Sequence, residues 1–184
     1  MADYSYHTPE TAPEAARPML EDAKRQYGMV PNLYAKMAEA PTLLEAYLQV
    51  SEIFARSSLT TTEQQVVLLA ASRTNQCGYC MGAHSVLADM AKVPVEITDA
   101  IRNDRTIPDA RQEALRRFTS QLVERRGWLD DAEVQAFLDA GFTRENLLDV
   151  IVGVGQKILS NYTNHIAGTE LDSAFAHRRW KAPA

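Results

Sequence analysis

The chain has 184 residues, 46% of them hydrophobic and 23% charged, with a net charge of -5. That size and balance describe a single soluble globular domain and exclude whole-chain disorder. Basic residues are scattered as pairs such as Arg116-Arg117, Arg125-Arg126 and Arg178-Arg179. No continuous basic surface can form to neutralise phosphates, so no nucleic-acid partner is expected. No apolar run approaches the roughly 18 residues of a membrane span; the best, Leu147 to Leu159, is broken by Asp149, Gly153, Gly155 and Lys157. Asp3, Glu10 and Glu14 interrupt the first twenty residues, which lack an apolar signal core, so a cytoplasmic location and no membrane contact are expected.

Apolar residues recur at steps of three and four nearly throughout, and no stretch alternates as a strand would, so the expected class is all-α. Residues 1–12, with Pro9 and Pro13 nearby and few apolar anchors, read as a loosely held arm, and residues 13–184 as one helical domain. The first helix is expected from Ala15 to Tyr27, stopped by Gly28. Pro31 opens a short helix to Ala38, and Pro41 a longer one to about Ser57. Thr60 and Glu63 have capping-box spacing, starting a helix that runs to about Thr74. Asn75 is expected to cap the next helix, which carries Cys77, Cys80 and His84 and ends near Lys92. Further helices are expected at Pro94 to Arg102, Asp109 to Arg126, Asp130 to Ala140 and Arg144 to Ala167. A tail, Leu171 to Trp180, should pack through Leu171, Phe175 and Trp180. Gly153 and Gly155 follow no strand, so they suit close helix packing and not a nucleotide loop.

Chemical content concentrates in Cys77-Gly78-Tyr79-Cys80-Met81-Gly82-Ala83-His84. On a helix, thiols three apart and an imidazole four beyond the second project from one face. A disulfide wants β-carbons about 3.5 to 4.5 Å apart, whereas helical i, i+3 spacing leaves about 5 to 6 Å. Such a bond favours cycling over permanence. Free amides in the first turn stabilise a thiolate, and His84 can relay its proton. These are the only two cysteines, and His7, His165 and His177 are unclustered, so neither a structural zinc nor any other bound metal or cofactor is expected. Asn161 and His165, four apart on the last long helix, are candidates to border the same pocket, with core hydrogen bonding or a subunit contact as the alternative.

The stretch from Leu59 to Val93, with Leu-Thr-Thr-Thr-Glu-Gln-Gln-Val-Val followed by Asn-Gln-Cys-Gly-Tyr-Cys-Met-Gly-Ala-His-Ser, resembles the alkylhydroperoxidase AhpD-like branch of the carboxymuconolactone decarboxylase superfamily. Gly28-Met29-Val30-Pro31-Asn32 and Leu159-Ser160-Asn161-Tyr162-Thr163-Asn164-His165 extend the likeness over nearly the whole chain. The resemblance implies an orthogonal helical bundle that assembles into a homo-oligomer, trimer or hexamer, with its redox core at about 59–93. It implies a peroxidase in which Cys80 attacks the peroxide, Cys77 resolves the sulfenic acid, and His84 belongs to a proton relay. An external dithiol of dihydrolipoamide type would restore the thiols, with a lipoyl protein or peroxiredoxin as partner and a peroxide or disulfide as substrate. Two positions depart from the family pattern. Where the relay glutamate belongs there is Gln65, whose amide can orient His84 but cannot accept its proton. Glu63 is turned by about 200° from that position and is assigned to the helix cap. Between the cysteines, Tyr79 replaces a histidine and is expected either to hydrogen-bond a thiolate or peroxide oxygen or to pack. Lactone decarboxylation, the other activity of the superfamily, needs cationic groups, and the sequence offers no basic cluster for it. A redox-sensing or metal-binding interaction protein is the non-enzymatic alternative.

Overall fold

Helix boundaries fall where capping chemistry puts them in a computed structural model that describes residues 4–182. After a 3-10 turn at Glu14–Ala16 come α1 (Arg17–Tyr27), α2 (Asn32–Met37), α3 (Pro41–Ala55), α4 (Thr61–Thr74) and α5 (Gly78–Met90). Then follow α6 (Val95–Arg102), α7 (Ala110–Glu124), α8 (Asp131–Asp139) and α9 (Arg144–Ala167), and a 3-10 turn at Ser173–Arg178 in the tail. No strand occurs among the described residues, and none of their helices is long and apolar enough to cross a membrane. Thr60 and Glu63 form the reciprocal capping box that opens α4, with the Thr60 amide donating to the Glu63 carboxylate at 2.8 Å. The other Glu63 oxygen accepts from Arg111 at 2.9 Å, so this carboxylate is committed to structure.

One cap lies elsewhere than expected. The Asn75 amide still donates to Ala71 O, which makes Asn75 the end of α4 and not the start of α5. Gln76 then turns the chain in the left-handed region (φ 56°), and Cys77 is the N-cap of α5.

Seven consecutive α4 residues, Val66 to Ser72, are buried on every side, as a central helix requires. Around it pack α5, α6, α7 and α9, while α3 lies along α9. Gly153 is where α9 meets its neighbours most closely: a Cβ there would stand 2.7 Å from the Phe54 ring of α3 and 2.8 Å from Val67 of α4. Gly155 has no such role, because it faces open space. A second, smaller apolar cluster gathers Leu20, Leu33, Met37, Leu44 and Tyr47 about Cys77, Tyr79, Cys80 and Ala83.

Both chain ends close over this second cluster. Of the expected loose arm, residues 1–3 lie outside the described residues. From Tyr4 onward the arm lies against α2: the His7 amide donates to Ala35 O, Lys36 stands 3.9 Å over the Tyr6 ring, and Pro9 and Ala12 are buried. The anchors are hydrogen bonds and a cation on an aromatic face, which apolar periodicity does not reveal. At the other end, Leu171 and Phe175 pack on the second cluster and Trp180 on the first. Along the outer face of α9, Leu148, Ile151, Ile158, Tyr162 and Ile166 remain exposed.

Gly153→Ala should test the α3–α4–α9 crossing. The added methyl meets a ring and a β-branched side chain, and overpacking of this kind costs about 1–3 kcal/mol. Denaturant unfolding should show that loss, and Gly155→Ala should show none of it.

Candidate functional site

Cys77, at the N-cap, and Cys80, the third residue of α5, sit where helix amides lack intrahelical acceptors, and His84 follows one turn on. The opposite wall is the inward stripe of α9, formed by Val150, Gly153, Val154, Lys157, Ser160, Asn161 and Asn164 at steps of three and four. The polar end of the stripe meets the thiols. Asn164 Nδ2 lies 3.2 Å from Cys80 Sγ and 3.6 Å from Cys77 Sγ, so one amide touches both sulfurs. Ser160 Oγ is 3.7 Å from Cys80 Sγ, and Lys157 Nζ is 2.8 Å from His84 Nε2. Both cysteines are free and buried.

The electrostatics separate the two thiols. Burial opposes ionisation of Cys80, but it is outweighed by the Cys77 thiol hydrogen-bonded to it, by the Lys157 ammonium and by Ser160 and Asn161, which bring Cys80 down to about 5. Cys77 is pushed up, first by the hydrogen bond that its thiol donates to Cys80 and then by burial and the neighbouring negative charge. These causes favour the thiolate at Cys80 and the thiol at Cys77. Burial, and then Lys157, push His84 well below its ordinary value, so the ring is neutral. An ammonium can only donate, so Nε2 accepts from Lys157 and the ring proton sits on Nδ1, which is buried without a partner. For Lys157, burial disfavours the charge, yet Cys80, Tyr47 and Cys77 together raise it.

A cavity of 470 Å³ reaches this centre. Its floor is Cys80, His84 and Lys157; Cys77 is not part of the lining. Tyr27, Tyr34 and Tyr47 form an edge-to-face series along one side, with ring centres 6.4 and 5.8 Å apart. Leu87 and Met90, both exposed, stand on the lining with Phe175 of the tail.

Of the residues singled out from sequence, Cys77, Cys80 and His84 are brought together, Tyr79 packs beside the cysteines and lines the same cavity, and Gln65 takes another place. Tyr79 does not bond a thiolate: its hydroxyl donates to Asp172 Oδ2 at 2.7 Å and accepts from the Leu33 amide at 3.2 Å. The other Asp172 oxygen accepts from the Asn32 amide at 3.0 Å, so one buried carboxylate ties the tail to α5 and to the start of α2. Gln65 Oε1 is buried without a partner, and among the described residues no hydrogen bond links Gln65 to His84 or to either thiol. The imidazole's nearest partner is the lysine instead. Asn161, the first of the α9 candidates, is buried and bonded to Asn75 at 2.9 Å, but His165 is exposed. The 3.6-residue period explains both outcomes, because Asn164 and not His165 continues the inward stripe. Lys157, Ser160, Asn164 and Asp172 were not foreseen. For the first three the signal was available: they lie in step with Val150 and Val154. No such signal marked Asp172.

Residues 41–120 match the Carboxymuconolactone decarboxylase family, a span that holds both cysteines and His84 but not Lys157. The chain thus has an AhpD-like fold, within which residues 41–120 are similar to the carboxymuconolactone decarboxylase family. No curated protein matches its sequence. The AhpD-like fold is shared with an alkylhydroperoxidase AhpD core, peroxidase-related protein from Ralstonia eutropha JMP134, at 23% identity and a TM-score of 0.82, covering 94% of this chain and 93% of that one. A peroxidase-related protein from Silicibacter sp. TM1040 is similar at 20% identity and a TM-score of 0.80, over 95% and 92% of the two chains. The debrominase Bmp8, also crystallised as a cysteine-to-alanine variant in complex with 2,3,4-tribromopyrrole, is similar at 16% identity and a TM-score of 0.75, over 90% and 92%.

Alkylation with iodoacetamide should read the thiol asymmetry of this AhpD-like centre. Mass mapping is expected to find the label first on Cys80. Because its acidity is raised, the rate should climb as pH rises through about 5 and be level by neutral pH. An ordinary thiol would still be climbing toward about 8.5.

Proposed function

We propose that the chain is a thiol-dependent peroxidase, reducing a hydroperoxide at Cys80 and resolving the product with Cys77. One observation carries this reading: the thiolate, Cys80, is the sulfur on the cavity floor, and the protonated Cys77 stands behind it against the same Asn164 amide. Access and charge support Cys80 as nucleophile and Cys77 as resolving thiol, the order the family resemblance implies.

The chemistry balances with these groups. The Cys80 thiolate attacks the outer peroxide oxygen, the O–O bond breaks, and the alkoxide takes a proton and leaves as an alcohol. Cys80 is now a sulfenic acid. The Cys77 sulfur attacks it, the S–S bond forms, and water departs with the Cys77 proton. An external dithiol of dihydrolipoamide type, free or on a lipoyl protein, reduces the bond and becomes a disulfide itself. Another disulfide in place of the peroxide would use the same pair as a disulfide reductase.

Lactone decarboxylation is a second reading favoured by one feature, Lys157, a cation on the cavity floor able to hold a carboxylate. Activity of that kind would persist in a Cys77→Ser, Cys80→Ser protein. We also propose a homo-oligomer, trimer or hexamer, because the exposed apolar face of α9 exceeds what scattered surface residues require. A monomer by sedimentation at assay concentration would remove it.

Anaerobic reduced protein given one equivalent of cumene hydroperoxide should lose both titratable thiols and gain a Cys77–Cys80 disulfide by mass. Cys77→Ser should stop at the sulfenic acid, trapped with dimedone on Cys80, and Cys80→Ser should not react. Retention of both thiols in the wild-type protein would exclude the peroxidase reading.

A further inference from the structure

Lys157 is the most completely buried charged side chain among the described residues, with 0% of its surface exposed. It nonetheless stands on the floor of the cavity beside Cys80 and His84. The titratable groups that act on it come from two sides: Tyr47 from α3, and Cys77, Cys80 and His84 from α5 and its N-cap. From α2, Tyr34 lines the same cavity, and burial keeps its phenol protonated. Towards α4 and α7, α9 is apolar, in the cluster that includes Val67, Phe118, Val150 and Val154. A peroxidase of the kind proposed above needs a proton donor for its alkoxide. Gln65 is an amide, and the His84 ring proton is on Nδ1, while its Nε2 faces Lys157.

We propose that Lys157 is a catalytic residue of the dithiol centre, holding Cys80 as a thiolate and giving its own proton to the alkoxide that leaves. The second half of this proposal rests on the hydroperoxidase reading; the first does not. His84 is a positioning residue, whose neutral Nε2 fixes one ammonium N–H and leaves the others to the sulfur and the substrate.

Charge balance through the cycle favours this assignment. In the reduced state a buried ammonium faces a buried thiolate. When the thiolate attacks, its negative charge passes to the departing alkoxide, and the Lys157 proton follows it to make the alcohol. A neutral amine then faces a neutral sulfenic acid, and afterwards a neutral disulfide, so at no stage is a lone charge stranded away from water. The direction of proton release is also right. Burial disfavours the Lys157 charge and the thiolate sustains it, so consuming the thiolate leaves burial unopposed and makes the ammonium a stronger acid as the O–O bond breaks. When the external dithiol returns two electrons and two protons, the Cys80 thiol passes its proton back to Lys157 and the pair is restored.

The test compares wild-type, Lys157→Met and Lys157→Arg proteins, matched for fold by circular dichroism, in two reactions. Iodoacetamide alkylation needs only the thiolate, because iodide leaves without a proton. Oxidation by cumene hydroperoxide needs the thiolate and a proton donor. Lys157→Met is expected to alkylate about 100-fold more slowly at neutral pH, which corresponds to a thiol raised by about four units from about 5. Alkylation should recover as the pH is raised, with peroxide oxidation still slow. Arg keeps the charge but does not release a proton, so Lys157→Arg should alkylate at neutral pH yet oxidise slowly. An unmoved alkylation profile in Lys157→Met would overturn the proposal. So would peroxide oxidation that recovers in step with alkylation, since Lys157 would then be no proton donor. If wild-type protein alkylates readily near pH 7 but keeps both thiols with peroxide, the hydroperoxidase reading and the proton step fail together, and the alkylation profiles alone decide the thiolate role.

Discussion

A buried ammonium is tolerable only where an anion and good acceptors meet it, because removing each ion from water costs several kcal/mol. In this chain Lys157 supplies the ammonium and Cys80 the anion. The two ions come from helices far apart in sequence, so the pair exists only while α5 and α9 are held face to face. The acidity that draws Cys80 down to about 5 is thus shared between the Cys-x-x-Cys motif, whose Cys77 donates to it, and the tertiary contact that brings Lys157. The first turn of α5 contributes free amides, but a helix N-terminus acts on both cysteines and does not explain why one keeps its proton. The hydrogen bond from Cys77 to Cys80, followed by Lys157 and Ser160, makes the difference.

What holds those faces together is the apolar α4 between them and the bundle's outer helices. Its buried run from Val66 to Ser72 fixes α5 through a three-residue turn, with Asn75 ending one helix, Gln76 reversing the backbone and Cys77 beginning the next. Asn75 also bonds Asn161 of α9, so the turn that sets the cysteines is tied to the helix that carries the lysine. From the outside, the tail completes the enclosure. Leu171 rests where a side chain at Gly82 would be, at 2.8 Å from an added Cβ, and Asp172 fastens the segment to Tyr79 and α2. Burial of this polar-bonded centre under a tied segment strengthens the electrostatic interactions inside it.

The long helix α9 shows why one periodicity can conceal two tasks. Its inward stripe is apolar near Val150 and polar from Lys157 to Asn164, and its outward stripe is apolar again. Averaged over the helix, these residues read as a partly apolar segment interrupted by a lysine. Resolved onto faces, the same lysine lies in the middle of a buried row, which is a costly place for a charge and hence a chemical one.

The sequence by itself determined the all-α class, nearly all helix positions and the pairing of two thiols with a histidine, because local periodicity, capping spacing and i, i+3, i+4 geometry act within one segment. Thr60 with Glu63 and Cys77-x-x-Cys80-x-x-x-His84 are legible for that reason. Tertiary structure decided which residues face that histidine and those thiols. Gln65 was read as its partner by position in a motif, yet the ring is occupied by Lys157, which lies 73 residues along the chain from it. For Tyr79 the sequence leaves open a bond to sulfur or peroxide oxygen, or packing; its ring packs beside the cysteines and its hydroxyl meets Asp172, 93 residues away. Contacts of that separation depend on how helices are laid against one another, and side-chain charge has no meaning for acidity until its distance and burial are fixed.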